Sequence, residues 1–240
     1  MSDNVSRRVF LHGATVSAAS LGTASALAAD EKKPPDGAAP AAPLRLLGIA
    51  CSPRKGKTTA SAVAIALEAA KAVHPERITT ELIELADYEI PGYVAAGVPL
   101  KPNHQDDFPK LEAKLSNPRL AGIIVGTPVY FGCMSSLCKA MLDRLITLRK
   151  TFVLSNKAAG VVAVGGSRNG GQELTIQAVQ ASLMCHEMLV VGDGRPTAHR
   201  GATVWNQGDD ISQDDFGVST LKNLGRRVGE VAQLRLQPRG

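Results

Sequence analysis

The sequence predicts an α/β fold in which helices cover both faces of one doubly wound, five-stranded parallel sheet. The first observation is a series of apolar runs without polar alternation, as expected for parallel strands that are buried on both faces. The second is that helical segments separate these runs, which is typical of right-handed crossovers. The third is that three strands end in loops of unusual composition. A strand order of 2-1-3-4-5 best suits this length and pattern.

The first half of this pattern contains two strands and two helices. Residues 44–51 form a short apolar run and are expected to be the first strand. Residues 58–73 are rich in alanine, a strong helix former, and this helix is expected to end before Pro75. Residues 78–85 alternate apolar and polar side chains, as a half-buried strand does. A short helix is expected at 107–115.

The second half contains the most apolar segments. Residues 120–126 and 158–165 are uninterrupted apolar runs and are expected to be central strands. Between them, residues 135–148 carry leucine and methionine at helical spacing on one face. The remaining elements are expected to be a helix at 172–187, a short strand at 188–191 and a final helix at 217–234.

The N-terminus has the features of an export signal. Residues 6–11 contain the paired arginines of a twin-arginine signature, a mildly apolar stretch follows, and residues 26–28 fit a small-x-small cleavage site. A short membrane anchor is the alternative, but the stretch is short, weakly apolar and followed at once by charged residues. We therefore predict a twin-arginine signal peptide over 1–29 and a periplasmic or otherwise exported protein.

The rest of the chain is expected to be a flexible linker and one domain. Residues 30–43 are rich in proline and alanine, whereas residues 44–240 suit a single domain of about 200 residues. Hydrophobic residues make up 44% of the chain, which is enough for a full core. The formal charge of +5 is spread along the sequence. Because no basic stripe is interleaved with aromatic residues, nucleic acid is not an expected partner.

The chain contains four cysteines, and no two of them form a C-x-x-C pair. Zinc ribbons and iron–sulfur clusters use such spacings, so no metal ligand is assigned. Each cysteine adjoins apolar residues, and small buried thiols are expected. The four are Cys51, Cys133, Cys138 and Cys185.

The first loop, residues 51–59, has the features of an anion site. Backbone amides at the start of the following helix, together with a helix dipole of roughly +0.5 charge, attract negative groups. Hydroxyl and cationic side chains add donors, and a phosphate is the expected ligand. The alternative is an ordinary helix start with solvated basic residues. The side chains concerned are Ser52, Arg54, Lys57, Thr58 and Thr59.

Residues 56–58, Gly-Lys-Thr, resemble the end of a Walker A motif, but the rest of that motif is missing. The motif requires glycine where this chain has Cys51. It also requires a later strand that ends in a magnesium-binding aspartate, and the strands that end at Gly126 and Gly165 supply none. A nucleoside triphosphatase is therefore not expected.

Two further loops are expected to lie beside the first because their strands are neighbours in the sheet. In the second loop, residues 126–132, Thr127 and backbone amides can bond the edge of a planar heterocycle, while Tyr130 or Phe131 lies against its face. In the third loop, residues 165–171, four glycines allow the backbone to approach a ligand closely. The alternatives are a stiff turn whose aromatic rings serve the core, and a mobile surface loop.

Together these motifs resemble the NAD(P)H-dependent FMN reductase family. The matching segments include Ser-Pro-Arg-Lys-Gly from Ser52, Gly-Thr-Pro-Val-Tyr-Phe-Gly from Gly126 and Gly-Gly-Ser from Gly165. This family is a flavodoxin-like group that includes quinone reductases and iron–sulfur flavoproteins. The resemblance covers residues 44–227.

The resemblance implies an FMN-dependent oxidoreductase. It implies that the five side chains named for the first loop hold the FMN phosphate, and that the second and third loops frame the isoalloxazine ring. Because the flavin carries the redox chemistry, no catalytic side chain and no metal are assigned. The residues expected to frame the ring are Thr127, Pro128, Val129, Tyr130, Phe131, Gly132, Gly165, Gly166, Ser167 and Gly170.

The chain departs from the family pattern at three places. Thr58 stands where many members have asparagine, and Cys133 stands where many have asparagine or serine. Cys133 could approach the flavin, although a passive small side chain is the more expected role. The iron–sulfur members carry a cysteine cluster before a pair that resembles Asp106-Asp107, whereas residues 90–105 contain no cysteine. An iron–sulfur cluster is therefore not expected.

The expected reaction transfers hydride or electrons from NAD(P)H through FMN to a quinone, a flavin or a similar acceptor. NAD(P)H is not expected outside the cytoplasm, so one alternative is an exported electron-transfer flavoprotein reduced by a quinol or a protein donor. The second alternative is a non-catalytic flavin-binding module. Family members usually form homodimers or homotetramers, and the same is expected here. His199 is the histidine considered for lining a substrate pocket. Arg168 could meet a nicotinamide phosphate or a partner chain, and a solvated arginine is the alternative.

Overall fold

The computed structural model describes residues 42–234. Residues 1–41 and 235–240 lie outside this range. The twin-arginine signal predicted over 1–29 and most of the linker predicted over 30–43 therefore stay predictions. Within the described range, no helix has both the length and the apolar character that a membrane crossing requires.

The sheet has the predicted parallel topology. Its strands in the described residues are β1 (Leu44–Ala50), β2 (Ile78–Glu84), β3 (Leu120–Pro128), β4 (Ala158–Gly165), β5 (Leu189–Val190) and β6 (Ala202–Trp205). β1 lies between β2 and β3, β4 pairs with β3, and β5 pairs with β4, which confirms the order 2-1-3-4-5. All of these pairings are parallel.

The strand β6 is an addition that the sequence pattern did not predict. It pairs in parallel with the carboxyl half of β4, whereas β5 pairs with the first two residues of β4. The fifth position of the sheet is therefore shared by two short strands, and the strand predicted over 188–191 shrinks to two residues. Gly201 permits the return to the sheet, because a Cβ atom there would lie 2.5 Å from the Val161 carbonyl oxygen.

The helices cover both faces of the sheet. They are α1 (Thr58–Ala72), α2 (Phe108–Leu115), α3 (Ser136–Arg144), α4 (Ile146–Arg149), α5 (Gln172–Met184) and α6 (Asp215–Gln233). One core lies between the sheet and α1 with α6, and the other lies between the sheet and α2, α3 and α5. Consecutive residues of β1, such as Leu46 and Leu47, enter opposite cores. Burial on both faces explains why the strands lack polar alternation.

The prediction of one continuous helix over 135–148 is wrong, because the structure has two helices there. Leu145 separates α3 from α4, and its amide donates to the carbonyls of both Met141 and Leu142, at 3.2 and 3.3 Å. The preceding Arg144 is buried and forms a two-pronged ion pair with Asp106, at 2.8 and 2.9 Å. Neither proline nor glycine marks this break in the sequence.

The α1–α6 contact depends on a small residue and gives the first prediction. A Cβ atom at Gly225 of α6 would lie far inside van der Waals distance of the Ala66 backbone in α1. Although alanine is the better helix former, Gly225→Ala is expected to lower the free energy of unfolding by about 1–3 kcal/mol, because the two helices must separate. Urea unfolding measures this change.

The control is Gly166→Ala, where an added Cβ atom meets nothing within 4 Å. That variant is expected to keep the stability of the unmodified protein. Equal stability of Gly225→Ala and the unmodified protein would contradict the close α1–α6 contact.

Candidate functional site

Three loops and one turn meet at the carboxyl edge of the sheet. They are the first loop (51–59), the second loop (126–132), the third loop (165–171) and a turn after β6 (206–210), here called the β6 turn. The sheet register brings them together, because Ala50 pairs with Gly126, and Gly165 pairs with Trp205. Ligands of open α/β sheets bind at this edge.

The first loop presents unpaired donors at the start of α1. The backbone amides of residues 57–60 donate no hydrogen bond to any residue in 42–234. Thr58 and Thr59 are mostly buried, at 4% and 2% exposure, and their side chains belong to the first turn of α1. Ser52 is also buried, and its hydroxyl accepts from the Arg54 amide at 3.1 Å. With the helix dipole, this donor set suits an anion.

The two predicted cations of the first loop are present, but a carboxylate already contacts them. Arg54 Nη1 donates to Asp209 Oδ1 at 2.6 Å, and Lys57 Nζ lies 3.3 Å from Asp209 Oδ2. Hydrogen bonds from Arg54 and Lys57 hold the pKa of the Asp209 carboxyl below its usual value. Asp209 therefore carries its charge at neutral pH, and the sequence motifs did not point to it.

The second loop is tied to the first by Ser135. The Ser135 hydroxyl donates to the Cys51 carbonyl at 2.6 Å, and its amide donates to the Thr127 hydroxyl at 3.0 Å. Thr127 is fully buried and donates in turn to the carbonyl of Pro128, which is also buried. The side chain of Thr127 thus holds the second loop in place from within the protein.

The tip of the second loop is a two-residue turn with an exposed aromatic ring. Tyr130 and Cys133 exchange backbone hydrogen bonds of 2.8 and 3.0 Å, while Phe131 and Gly132 adopt φ angles of 51° and 74°. Phe131 is fully exposed and Tyr130 is 44% exposed, so these rings do not serve the core. The amides of Phe131 and Gly132 have no acceptor within the described chain, whereas Val129 donates to Val164 at 2.9 Å.

The third loop touches the second through the backbone. A Cβ atom at Gly171 would lie 2.9 Å from the Gly132 Cα atom. Gln172 closes the loop, because its amide nitrogen donates to the Ser167 carbonyl at 2.6 Å and its oxygen accepts from the Gly170 amide at 2.8 Å. Gly165 lies against the same Gln172 side chain. At Gly166, by contrast, an added Cβ atom would meet open space.

Asp214 joins the third loop to β6 and α6, and the sequence motifs did not identify it. Its buried carboxylate accepts from the Gly217 amide at 2.9 Å, from the Trp205 amide at 2.7 Å and from the Arg168 guanidinium. The charge of Arg168 is therefore satisfied within the protein. Aspartate just before a helix is a recognised N-cap signal. Asp214 precedes the first residue of α6, so this signal could have identified it in the sequence.

Trp205 and Asn206 complete the edge beside the third loop. The Trp205 indole nitrogen donates to the Gly166 carbonyl at 3.2 Å, and the Asn206 amide donates to the Gly165 carbonyl at 2.8 Å. These bonds fix where the β6 turn begins, and so where its Asp209 lies.

Two other concave surfaces lie near or beyond these loops, one of them beside the third loop. His199 borders a cavity of about 370 Å³ together with Arg168, Glu173 and Phe216. The His199 ring meets the Phe216 ring edge-on at 5.6 Å, and its Nδ1 atom lies 3.5 Å from the buried Asp193 carboxylate. A larger groove of about 750 Å³ lies between α1 and α6, away from the start of α1. Neither surface includes the unpaired donors of the first loop.

The cysteines and the described residues do not fit a metal cluster. Cys51 and Cys138 are buried, whereas Cys133 and Cys185 are exposed, which corrects the expectation of four buried thiols. Burial raises the pKa of the Cys51 thiol well above its usual value, so this group stays neutral. No group of three or more potential metal ligands occurs in residues 42–234.

Comparisons with known proteins agree with the resemblance in the motifs. The profile of the family described as NADPH-dependent FMN reductase matches residues 44–203. An iron-sulfur flavoprotein of Methanocaldococcus jannaschii is 42% identical over 196 residues, covering 80% of this chain and 98% of that protein. An NAD(P)H dehydrogenase (quinone) of Archaeoglobus fulgidus is 28% identical over 168 residues, covering 66% of this chain and 78% of that protein.

A solved structure supports the fold. The flavodoxin, WrbA-like protein of Agrobacterium tumefaciens superposes with a TM-score of 0.57 at 22% identity, covering 80% of this chain and 98% of that one. The name of the Methanocaldococcus relative includes an iron-sulfur centre, whereas residues 42–234 of this chain contain no group of three or more potential ligands for one.

Asp214 gives the second prediction. Asp214→Ala removes the N-cap of α6, leaves Arg168 without its carboxylate partner and leaves the Trp205 amide without its acceptor. The expected loss in free energy of unfolding is about 2 kcal/mol or more. Denaturant unfolding provides the measurement.

The neighbouring Asp215 is exposed in the first turn of α6 and provides a matched control. Asp215→Ala is expected to change stability by no more than about 0.5–1 kcal/mol. If the two variants were equally stable, Asp214 would not be the residue that joins these elements.

Proposed function

Because the chain belongs to the NADPH-dependent FMN reductase family, we propose that it binds FMN at the three loops and transfers electrons from NAD(P)H to a small acceptor. The observation that carries this proposal is the donor set of the first loop. At the start of α1, four amides without an acceptor among residues 42–234, the hydroxyls of two largely buried threonines and two cations converge. A phosphate monoester carries roughly −1.5 to −2 charge at neutral pH and matches such donors.

The phosphate would be held by backbone and side-chain donors together. The amides of residues 57–60 and the hydroxyls of Ser52, Thr58 and Thr59 supply hydrogen bonds, and Arg54 and Lys57 supply charge. Because Thr58 and Thr59 belong to the first turn of α1, their positions are fixed by the helix. Little conformational freedom is lost when an anion binds to donors that are already in place.

The isoalloxazine ring would lie between the second and third loops. The free amides of Phe131 and Gly132 can donate to the polar edge of the ring, and the open space at Gly166 admits a planar group. Tyr130 and Phe131 offer aromatic faces. Thr127 acts through Ser135 by holding the second loop.

FMN supplies two-electron redox chemistry when bound. The protein binds the phosphate, orients the ring and limits access of water to one side of it. No side chain is given an acid or base role. Burial lowers the pKa of His186, which lies between the end of α5 and β5, away from the carboxyl edge of the sheet.

The acceptor we propose is a quinone, a flavin or a similar small molecule. The quinone-reducing Archaeoglobus relative supports this class, as its name states that activity. A homodimer or homotetramer is part of the proposal, because association would cover the exposed rings of Phe131 and Tyr130. Multi-angle light scattering would test the assembly.

A second candidate function follows from the paired arginines Arg7 and Arg8. If they direct export, as we propose, the protein works in the periplasm, where a quinol or a protein replaces NAD(P)H as the donor. The protein would then load FMN in the cytoplasm and act as an electron-transfer flavoprotein.

Anaerobic rapid mixing separates these functions. The FMN-loaded protein is mixed with NADPH, with NADH and with a reduced quinol, and the visible absorbance of oxidised flavin is followed. Fast loss of absorbance with either nicotinamide is the expected result. No loss with both nicotinamides would contradict the reductase function, and fast loss with the quinol alone would favour the electron-transfer function.

Thr59 gives the third prediction. Thr59→Val keeps the shape of the side chain but removes the hydroxyl that we assign to the phosphate. FMN affinity is expected to fall by about 1.5–3 kcal/mol, the range for a hydrogen bond to a charged group. Quenching of flavin fluorescence on binding measures the affinity.

Riboflavin is the matched control ligand because it lacks the phosphate. Its affinity is expected to be the same for Thr59→Val and the unmodified protein. An equal loss for FMN and riboflavin would mean that Thr59 acts on the ring or on the fold.

A further inference from the structure

A single carboxylate contacts both cations of the first loop. Asp209 Oδ1 accepts from Arg54 at 2.6 Å, and Asp209 Oδ2 lies 3.3 Å from Lys57 Nζ. Each oxygen thus faces one cation, as two oxygens of a phosphate would. Asp209 comes from the β6 turn, 155 residues further along the chain than Arg54.

The β6 turn holds this carboxylate in place. Gln207 and Asp210 exchange backbone hydrogen bonds of 2.8 and 3.2 Å, and between them Gly208 and Asp209 adopt φ angles of 63° and 66°. Aspartate tolerates this left-handed conformation better than most residues do. The Asn206 amide anchors the turn to the third loop through the Gly165 carbonyl at 2.8 Å.

The charges around the first loop are balanced when Asp209 is in contact. Lys55 pairs with Asp87 at 2.7 Å, and the Gly56 amide donates to Glu84 at 2.6 Å. With Asp209 on Arg54 and Lys57, three cations face three carboxylates. The loop therefore has no excess positive charge for a weakly held anion.

We propose that Asp209 lowers the affinity of the first loop for phosphate-bearing ligands by competing with the phosphate of FMN for Arg54 and Lys57. This inference rests on the proposed function, because the first loop must be the phosphate site. A ligand that carries a phosphate monoester displaces the carboxylate, since it has more charge than one aspartate and also bonds the free amides of residues 57–60. A ligand without a phosphate leaves both ion pairs intact.

The displacement is feasible because the ion pairs are exposed. The side chains of Arg54 and Lys57 are each 48% exposed, and that of Asp209 is 39% exposed. Exposed ion pairs contribute little to stability, so they exchange readily for a stronger partner. Asp209 stays ionised at neutral pH and therefore competes throughout the physiological range.

The experiment compares Asp209→Asn with Asp210→Asn in the full-length protein freed of flavin. Both substitutions remove one charge from the same turn, but Asp210 bonds Ser212 and not the first loop. FMN and riboflavin affinities are measured by fluorescence quenching. Asp209→Asn is expected to bind FMN about three- to tenfold more tightly, as expected for the release of two surface ion pairs, with riboflavin unchanged.

Asp210→Asn is expected to change neither affinity by more than about twofold, because its carboxylate bonds Ser212 and forms no ion pair with Arg54 or Lys57. Unchanged or weaker FMN binding by Asp209→Asn would overturn the inference, as would an equal gain for riboflavin. If Asp209→Asn folds poorly, Asp209→Gly serves as the second variant, because glycine accepts the positive φ angle.

The two proposals fail in different ways. If the unmodified protein binds neither FMN nor riboflavin, the proposed function fails. If it binds FMN and the two aspartate variants behave alike, only the role of Asp209 fails.

Discussion

The hydroxyl of Ser135 is the contact on which the arrangement of the loops depends. It is buried, donates to the Cys51 carbonyl at 2.6 Å and accepts from the Cys138 amide at 3.1 Å, so it joins the end of β1 to the start of α3. The Ser135 amide bonds Thr127 as well. One residue thus holds the first loop, the second loop and a helix cap in a fixed relation. Without it, the donors for the phosphate and those for the ring would not keep a common geometry.

The parallel sheet explains why the first loop lies beside the second and third loops, so that the proposed phosphate site and the proposed ring site are neighbours. All strands end at the same edge, and glycines allow the backbones of the second and third loops to meet at Gly132 and Gly171. Helix α1 starts directly after the first loop, so its free amides add to the cations there. The carboxylates of Asp209, Glu84 and Asp87 contact this loop and balance its three cationic side chains.

Much of this arrangement could be predicted from the sequence, because it depends on local patterns. Uninterrupted apolar runs identify β3 and β4, the alanine-rich segment identifies α1, and the glycines of residues 165–171 identify the third loop. The strand β6 has only four residues, which are too few for a recognisable pattern, so the sequence did not predict it. The break at Leu145 depends on tertiary packing near the Arg144–Asp106 pair, which the local sequence does not encode.

The contacts of Asp209 could not be predicted for a different reason. Arg54 and Asp209 meet only because β6 pairs with β4, and no spacing rule connects residues 155 positions apart. The two exposed cysteines are a similar case, since apolar neighbours in sequence do not guarantee burial in a turn. The sequence thus predicts where a functional loop lies and which ligand class suits it, whereas the partners of the loop's side chains depend on the topology of the sheet.

The central claim is that the first loop binds the phosphate of FMN. The most direct measurement is the visible absorbance of the purified full-length protein, together with the mass of the molecule released on heating. We expect a yellow protein that releases FMN. A colourless protein that stays colourless after incubation with FMN would contradict the claim.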